Sequence, residues 1–410
     1  MTIDEMKHEK AGICVSGGLD SKTIAHKLVE LGADVICFSA DLAQPDEEDI
    51  SGVAARMAPC GAETLIVDLK AEMADACLDM IKAQAQYDGG YWNSTGIARA
   101  VTVRGLIPAM KERGCTVLVH GATGRGNDQM RFERYTNVLA PDMKVYAPWR
   151  DPALLEQFPG RKQMADYLNS VGIEAFSGGR KRYSTDANLA GLSYEAEDLE
   201  SLETPCTIVE PQMGVWPKDA PDEEEVFRVR FEKGLPAELN GKAVTPLEAM
   251  LKANAVGGRN GIGMKNALEN RIVGTKSRGV YEAPGMDLLG QCLTLVYQAV
   301  LDRRAAKVLR DMSQLIAGQV YDGRLFDPAT HAAFAAVNTL AESASGTVEV
   351  GLYKGNVLFR TLTDCPASIY NEADSSMEAS DGLNPASSQG YAEIQSVEAK
   401  ALAKAGQIRE

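Results

Sequence analysis

At 410 residues the chain is too long for one simple core, and two domains are the natural expectation. Hydrophobic residues make up 45% and charged residues 24%, the balance of a globular chain with a sizeable interior. A formal net charge of −15 repels phosphate backbones and argues against general nucleic-acid binding, although a local positive pocket could still take a small anion.

The opening stretch "MTIDEMKHEKAGICV" has no long apolar run before the first expected strand, and no segment reaches the length of a membrane span. No signal peptide and no membrane partner are expected, and the chain reads as cytoplasmic. Eight cysteines are scattered singly without a C-x-x-C pair, as reduced thiols would be. The four histidines, His8, His26, His120 and His331, show no zinc-ligand spacing, so no protein-held metal is expected.

The first part of the chain alternates strand and helix. Strands are predicted at 11–15, 34–40, 64–69 and 116–122, and helices at 22–32, 50–61, 72–85 and 98–114. This rhythm predicts βαβ units and an open parallel sheet with helices on both faces. After "VYAPWRDP" (145–152) the pattern changes. A hairpin is expected at Asn240-Gly241 and another around Lys354-Gly355-Asn356, with a long helical stretch at about 286–320 between them. Residues 371–390 read as loop and 391–407 as a terminal helix. The expected class is therefore α/β, with a nucleotide-binding domain over 1–168, a second α+β domain over 169–370 and a C-terminal segment over 371–410.

"CVSGGLDSKT" (14–23) places two glycines between a buried strand and a helix. Free N–H groups and the dipole at a helix start attract anions, and Gly17 and Gly18 let a phosphate approach the backbone. Ser16 and Ser21 offer hydroxyls and Lys22 a charge. The spacing is neither the P-loop nor the dinucleotide fingerprint. A plainer reading is a tight turn with Asp20 or Ser21 capping the helix.

A second loop, "HGATGRGNDQMRFE" (120–133), follows the fourth strand. It opens at the same sheet edge, where parallel α/β sheets bind ligands. Asn127, Asp128 and Arg131 supply an amide, a carboxylate and a guanidinium within five residues, a set suited to a zwitterionic amino acid. The same residues would also suit a solvated polar turn. Two further stretches, "KRYSTDANLAGLSYEAE" (181–197) and "LENRIVGTKSRGVYEAP" (268–284), crowd polar and charged residues together.

Taken in order, "SGGLDS", "HGATGRGNDQMRFE", "APWRDP", "NLAGLSYE" and "ENRIVGTKSRGVYE" resemble argininosuccinate synthase over nearly the whole chain. The first motif belongs more widely to ATP pyrophosphatases with an S-G-G-x-D-S loop. The resemblance implies a nucleotide α-hydrolase-like first domain, a synthetase second domain and a homotetramer crossed by the C-terminal segment. It implies a ligase that joins citrulline to aspartate through a citrullyl adenylate, with ATP as co-substrate and Mg²⁺ carried by the nucleotide. It places ATP on Cys14, Val15, Ser16, Gly17, Gly18, Leu19, Asp20, Ser21 and Lys22, with Ala40 and Gly121 nearby. It places aspartate on Thr123, Asn127 and Asp128. It places citrulline on Tyr91, Asn127, Arg131, Ser184, Ser193, Glu269 and Tyr281. Asp128 is expected to orient the attacking amine and to help take its proton.

Three departures from the family pattern stand out. Lys22 replaces a small hydroxyl residue, Gly96 stands where a serine usually contacts citrulline, and Met264 and Asn266 replace the arginine and aspartate of a G-R-x-D run. They leave open a paralogue acting on another ureido or carbamoyl acceptor. Two more distant readings are a tRNA-modifying enzyme and a non-catalytic nucleotide binder. The acidic balance and the missing C-x-x-C argue against the first, and the intact Asp20, Asp128 and Arg131 against the second.

Overall fold

The computed structural model describes residues 1–408 except 48, 125, 176–181, 379–381 and 383. Five parallel strands form the first sheet: β1 (Lys10–Cys14), β2 (Asp34–Asp41), β3 (Glu63–Asp68), β4 (Val117–His120) and β5 (Lys144–Tyr146), in the order β3-β2-β1-β4-β5. The connecting helices are α1 (Leu19–Glu30), α2 (Ser51–Met57), α3 (Lys70–Lys82), α4 (Ser94–Glu112) and α5 (Asp128–Leu139), and α6 (Pro152–Gln157) and α7 (Arg161–Ser170) follow β5.

Alternation along β1 shows how both faces of this sheet are covered. Ala11 and Ile13 join Ile24 and Leu28 of α1 and Leu168 of α7 in one buried cluster. Gly12 points the other way, where a Cβ would lie 2.9 Å from Met110 Cγ of α4. That contact requires glycine and lets α4 press onto the strand. The strand order reverses between β1 and β4, so the loops after these two strands open side by side at the carboxyl edge. Gly121 makes the juxtaposition tangible: a Cβ there would stand 3.4 Å from Ile24 and 3.6 Å from Asp20 of α1.

Two antiparallel sheets follow. The short strands β6 (Ser184–Asn188) and β7 (Gly191–Glu195) fall where the sequence predicts no strand. They join β11 (Met264–Asn270) and β12 (Lys276–Glu282) in the order β11-β12-β7-β6. The other sheet runs β10-β9-β8-β13-β14, from β8 (Glu225–Glu232), β9 (Leu235–Leu239), β10 (Lys242–Ala243), β13 (Gly346–Tyr353) and β14 (Asn356–Thr363). Its hairpins turn at Lys233-Gly234, Asn240-Gly241 and Lys354-Gly355, each pair with both φ values positive, the geometry that two-residue hairpin loops favour.

Between and after these strands come α8 (Pro246–Arg259), α9 (Pro284–Val300), α10 (Arg303–Tyr321) and α11 (Pro328–Ala341). The single helical stretch expected near 286–320 is thus two helices. Leu301 is extended, and Asp302 caps α10 by accepting from the backbone of Arg304 and Ala305.

The chain divides into two compact units, Met1–Pro366 and Ala367–Glu410. The second holds α12 (Glu372–Ser375) and α13 (Ser387–Lys404), so the terminal helix begins before residue 391. Residues 379–381 and 383 of the expected 371–390 loop lie outside the described residues. No helix of the described chain is long and apolar enough to cross a membrane.

Candidate active site

The turn after β1 has the form of an anion seat. Gly17 adopts φ +76°, a region open to glycine, and a Cβ there would meet Arg56 Nε at 2.9 Å. Gly18 is the N-cap of α1 and no side chain caps the helix, so its first N–H groups face the turn. Ser21 instead receives the backbone N–H of Ser16 at 3.1 Å and closes the loop. Arg56, paired with Glu47, is a cation beside this turn that sequence reasoning does not assign.

Asp20 stands between the two loops. Burial raises its carboxyl, against the opposing charge of Arg161. Burial also pushes the Cys14 thiol to about 12, so it remains protonated. Val15 donates its N–H to Phe38 O, Leu19 opens α1, and Ala40 lies buried at the carboxyl end of β2. Lys22 points elsewhere: its Nζ donates to Glu174 O at 2.7 Å. It braces α1 against the chain leading to β6.

A cavity of about 280 Å³ opens beside the second loop. Its lining brings together Tyr91, Gly121, Thr123, Asn127, Asp128, Arg131, Ser193, Glu269 and Tyr281, nine of the residues singled out in the sequence. Ser184 is not among them. It lies exposed at the start of β6, opposite Glu195. Arg125, within the same glycine-rich loop, lies outside the described residues.

Eight lining residues carry no assigned role from the sequence: Ala122 and Gly126 of the second loop, and Thr95, Arg99, Asp186, Glu195, Arg271 and Tyr321 from elsewhere. Those outside the loop come from helices, strands and a turn far apart in the chain. Only the polar face of the β6–β7 hairpin, with Asp186 opposite Ser193, carries a pattern that strand alternation could have revealed.

Two arginines hold Asp128. Arg99 Nε donates to Oδ2 and Arg131 Nη1 to Oδ1, each at 2.9 Å, and Arg99 Nη2 reaches Asp186 at 2.6 Å. Burial raises the Asp128 carboxyl, but the two guanidiniums outweigh it and the net shift is downward. Asp128 is therefore a firmly ionised carboxylate and a weak base.

Arg131 is 3% exposed. Its Nε donates to Tyr321 O, but Nη2 has no hydrogen-bond partner among the described residues. A buried guanidinium N–H at a cavity wall calls for an anion.

Glu269, 5% exposed, lines the same cavity, with one oxygen accepting from Tyr321 at 2.8 Å and the other from Tyr281 at 2.9 Å. Burial raises its carboxyl, and the two phenols pull it back. Tyr91 stacks on Tyr281 with ring centres 4.1 Å apart, and Tyr87 stacks on Tyr321 at 3.8 Å. Burial pushes the Tyr91 hydroxyl to about 12, and its oxygen accepts the N–H of Thr95 at the start of α4. The result is an aromatic slot lined by the Glu269 carboxylate and by buried Arg131, both of which touch Tyr321. Asn127 frames the slot, donating to Tyr321 OH and accepting from Ile272 N.

The departures from the family pattern lie behind this lining. A Cβ on Gly96 would sit 3.1 Å from Val320 O of α10. Met264 packs beside the cluster of Leu192, Tyr194 and Val280, and Asn266 accepts from Arg278 Nε at 2.9 Å. Among the described residues no three His, Cys, Asp or Glu side chains converge as a metal-ligand set.

A doubly wound sheet with an anion-binding turn at its switch point, set beside a polar cavity, defines a nucleotide-binding α/β enzyme. Comparison with known proteins gives the family. Residues 10–174 match the arginosuccinate synthase N-terminal HUP domain, and residues 183–402 match the arginosuccinate synthase C-terminal domain. An argininosuccinate synthase of Rhodopirellula baltica is 38% identical over 386 residues, covering 93% of this chain and 95% of the relative. The chain belongs to the argininosuccinate synthase family and is a ligase.

Proposed function

We propose that the protein condenses citrulline with aspartate, using ATP, and releases AMP and pyrophosphate. Ser16, Gly17, Gly18, Asp20 and Ser21 face the triphosphate, with Cys14, Val15, Leu19, Ala40 and Gly121 bordering the nucleotide and Lys22 bracing the helix. Mg²⁺ enters with the nucleotide's phosphates. A ureido carbon is a poor electrophile because two nitrogens feed it electrons. Attack of the ureido oxygen on the α-phosphorus turns that oxygen into a leaving group, and the turn at α1 stabilises the departing pyrophosphate. The aspartate amine, seated by Thr123 and Asp128, then displaces AMP. The enzyme contributes largely by orienting three ligands.

One observation carries the choice of citrulline. The cavity lining holds both the Glu269 carboxylate, bonded by two tyrosines, and buried Arg131, whose Nη2 has no hydrogen-bond partner among the described residues. That pairing suits the ammonium and carboxylate of a free amino acid, with its apolar stem along Tyr91 and Tyr281 and with Ser193 and Ser184 at the β6–β7 side. Gly96, Met264 and Asn266 lie outside the lining, which favours citrulline over another ureido acceptor.

The C-terminal unit exposes Tyr391, Ile394 and Val397 on α13, which supports assembly of the chain as a homotetramer through this segment. A cytoplasmic location fits the unpaired cysteines. The test of function is pyrophosphate release with Mg-ATP and aspartate across a panel of ureido acceptors. Release with citrulline is expected. Release only with another acceptor would overturn the reading.

A further inference from the structure

The second step has a proton problem that Asp128 does not solve. Aspartate's amine arrives as an ammonium, and its nitrogen has no lone pair to attack with until a proton leaves. Four carboxylates line the cavity: Asp128, Asp186, Glu195 and Glu269. Asp128 is held by Arg99 and Arg131, Asp186 by Arg99, and Glu269 by two phenols. Among the described residues Glu195 has no hydrogen-bond donor, and its nearest cation, Arg271, stands 3.7 Å away, beyond a tight charge-assisted bond. Glu195 ends β7 on the same face as Ser193, so the strand itself aims it at the cavity.

We propose that Glu195 is the general base for the amine-capture step. The proposal rests on the citrulline–aspartate reading above. A proton passes from the ammonium to a Glu195 oxygen. The freed lone pair forms the new C–N bond at the activated carbon. The C–O bond to AMP breaks, and its electron pair leaves on the phosphate oxygen. A second proton then leaves the nitrogen for solvent as the guanidinium forms.

The surroundings tune Glu195 for this task. Burial raises its carboxyl first. The negative charges of Asp128, Asp186 and Glu269 raise it further, while Arg271 opposes them. About half of its side-chain surface still meets solvent in the cleft, so the rise grows when bound ligands displace that water. Asp128 and Glu195 thus divide the work: the first stays ionised and seats the amine, and the second gains and loses the proton.

The test separates the two half-reactions of the full-length enzyme by rapid quench. Adenylation is read as pyrophosphate formed from citrulline and Mg-ATP, and capture as product formed after adding aspartate. Hydroxylamine, whose nitrogen is unprotonated near neutral pH, serves as a second nucleophile. In Glu195→Gln, aspartate capture should fall about 100-fold relative to adenylation. Capture by hydroxylamine should change less than threefold, and the acidic limb of the capture pH profile should vanish. Glu195→Asp should restore that limb. An unchanged capture-to-adenylation ratio would overturn the proposal and point to the leaving phosphate as base. Equal losses with both nucleophiles would overturn it in favour of a positioning role. If the wild-type enzyme forms no citrulline-dependent pyrophosphate, the underlying reading fails instead.

Discussion

His120 ties the carboxyl end of β4 to the second loop, and its protonation state matters to the fold. It is fully buried, and its Nδ1 accepts the Ala122 N–H at 3.3 Å, which requires the neutral ring with its proton on Nε2. Burial first, then the charge of Arg150, lowers its pKa to about 4. The unfolded chain binds this proton near pH 6.5 while the folded chain resists it down to about pH 4. Stability is therefore complete above pH 6.5 and falls as the pH drops towards 4, by about 3 kcal/mol in all. Urea unfolding between pH 4.5 and 7 should show this slope, and His120→Gln should flatten it. Arg131→Lys removes the free Nη2 and the fork around Asp128. A lost hydrogen bond to a charged partner is worth about 1.5–3 kcal/mol, so the KM for citrulline should rise about 10- to 100-fold, read from steady-state kinetics. Arg131 and Asp128 are legible in the sequence because they crowd into one short loop. Arg99, Glu195 and Tyr321 are not, because each acquires its role from a partner more than 25 residues away, as Arg99 does from Asp128 and Asp186.

At the scale of elements, helix α4 explains why one apparent loss in the site is not one. The sequence places a helix over 98–114, whereas α4 begins at Ser94 and so includes Gly96. That glycine lies against the carbonyl of Val320, near the end of α10. Gly96→Ser should therefore cost about 1 kcal/mol by overpacking, without lowering the KM for citrulline. Thermal unfolding and steady-state kinetics check the two halves of this expectation. Lys265 shows the same logic at β11. It pairs with Asp287 of α9 at 2.6 Å, and Asp287 also accepts from Trp92 Nε1 at 2.8 Å. This pairing anchors the segment that presents Tyr91. The parallel strands are legible because each is a short apolar run between helices. The β6–β7 hairpin is legible only through the alternation of Leu192 and Tyr194 with Ser193 and Glu195, because the face shared by Ser184, Asp186, Ser193 and Glu195 is wholly polar and reads as a loop on its own.

Across the whole molecule, the chain combines a five-stranded parallel sheet, two antiparallel sheets and a separate C-terminal unit. If α13 carries the proposed tetramer contacts, a chain ending at residue 366 should run as a smaller species than the full chain, with light scattering after size exclusion as the check. Full retention of the tetramer would assign assembly to Met1–Pro366 instead. In the proposed mechanism the glycine turn at the switch point holds the triphosphate while an oxygen from the neighbouring cavity reaches its inner phosphorus. The most direct measurement is the fate of that oxygen in citrulline labelled with ¹⁸O at the ureido position. One labelled oxygen should appear in each AMP and none in pyrophosphate. Unlabelled AMP formed alongside the condensed product would contradict the account.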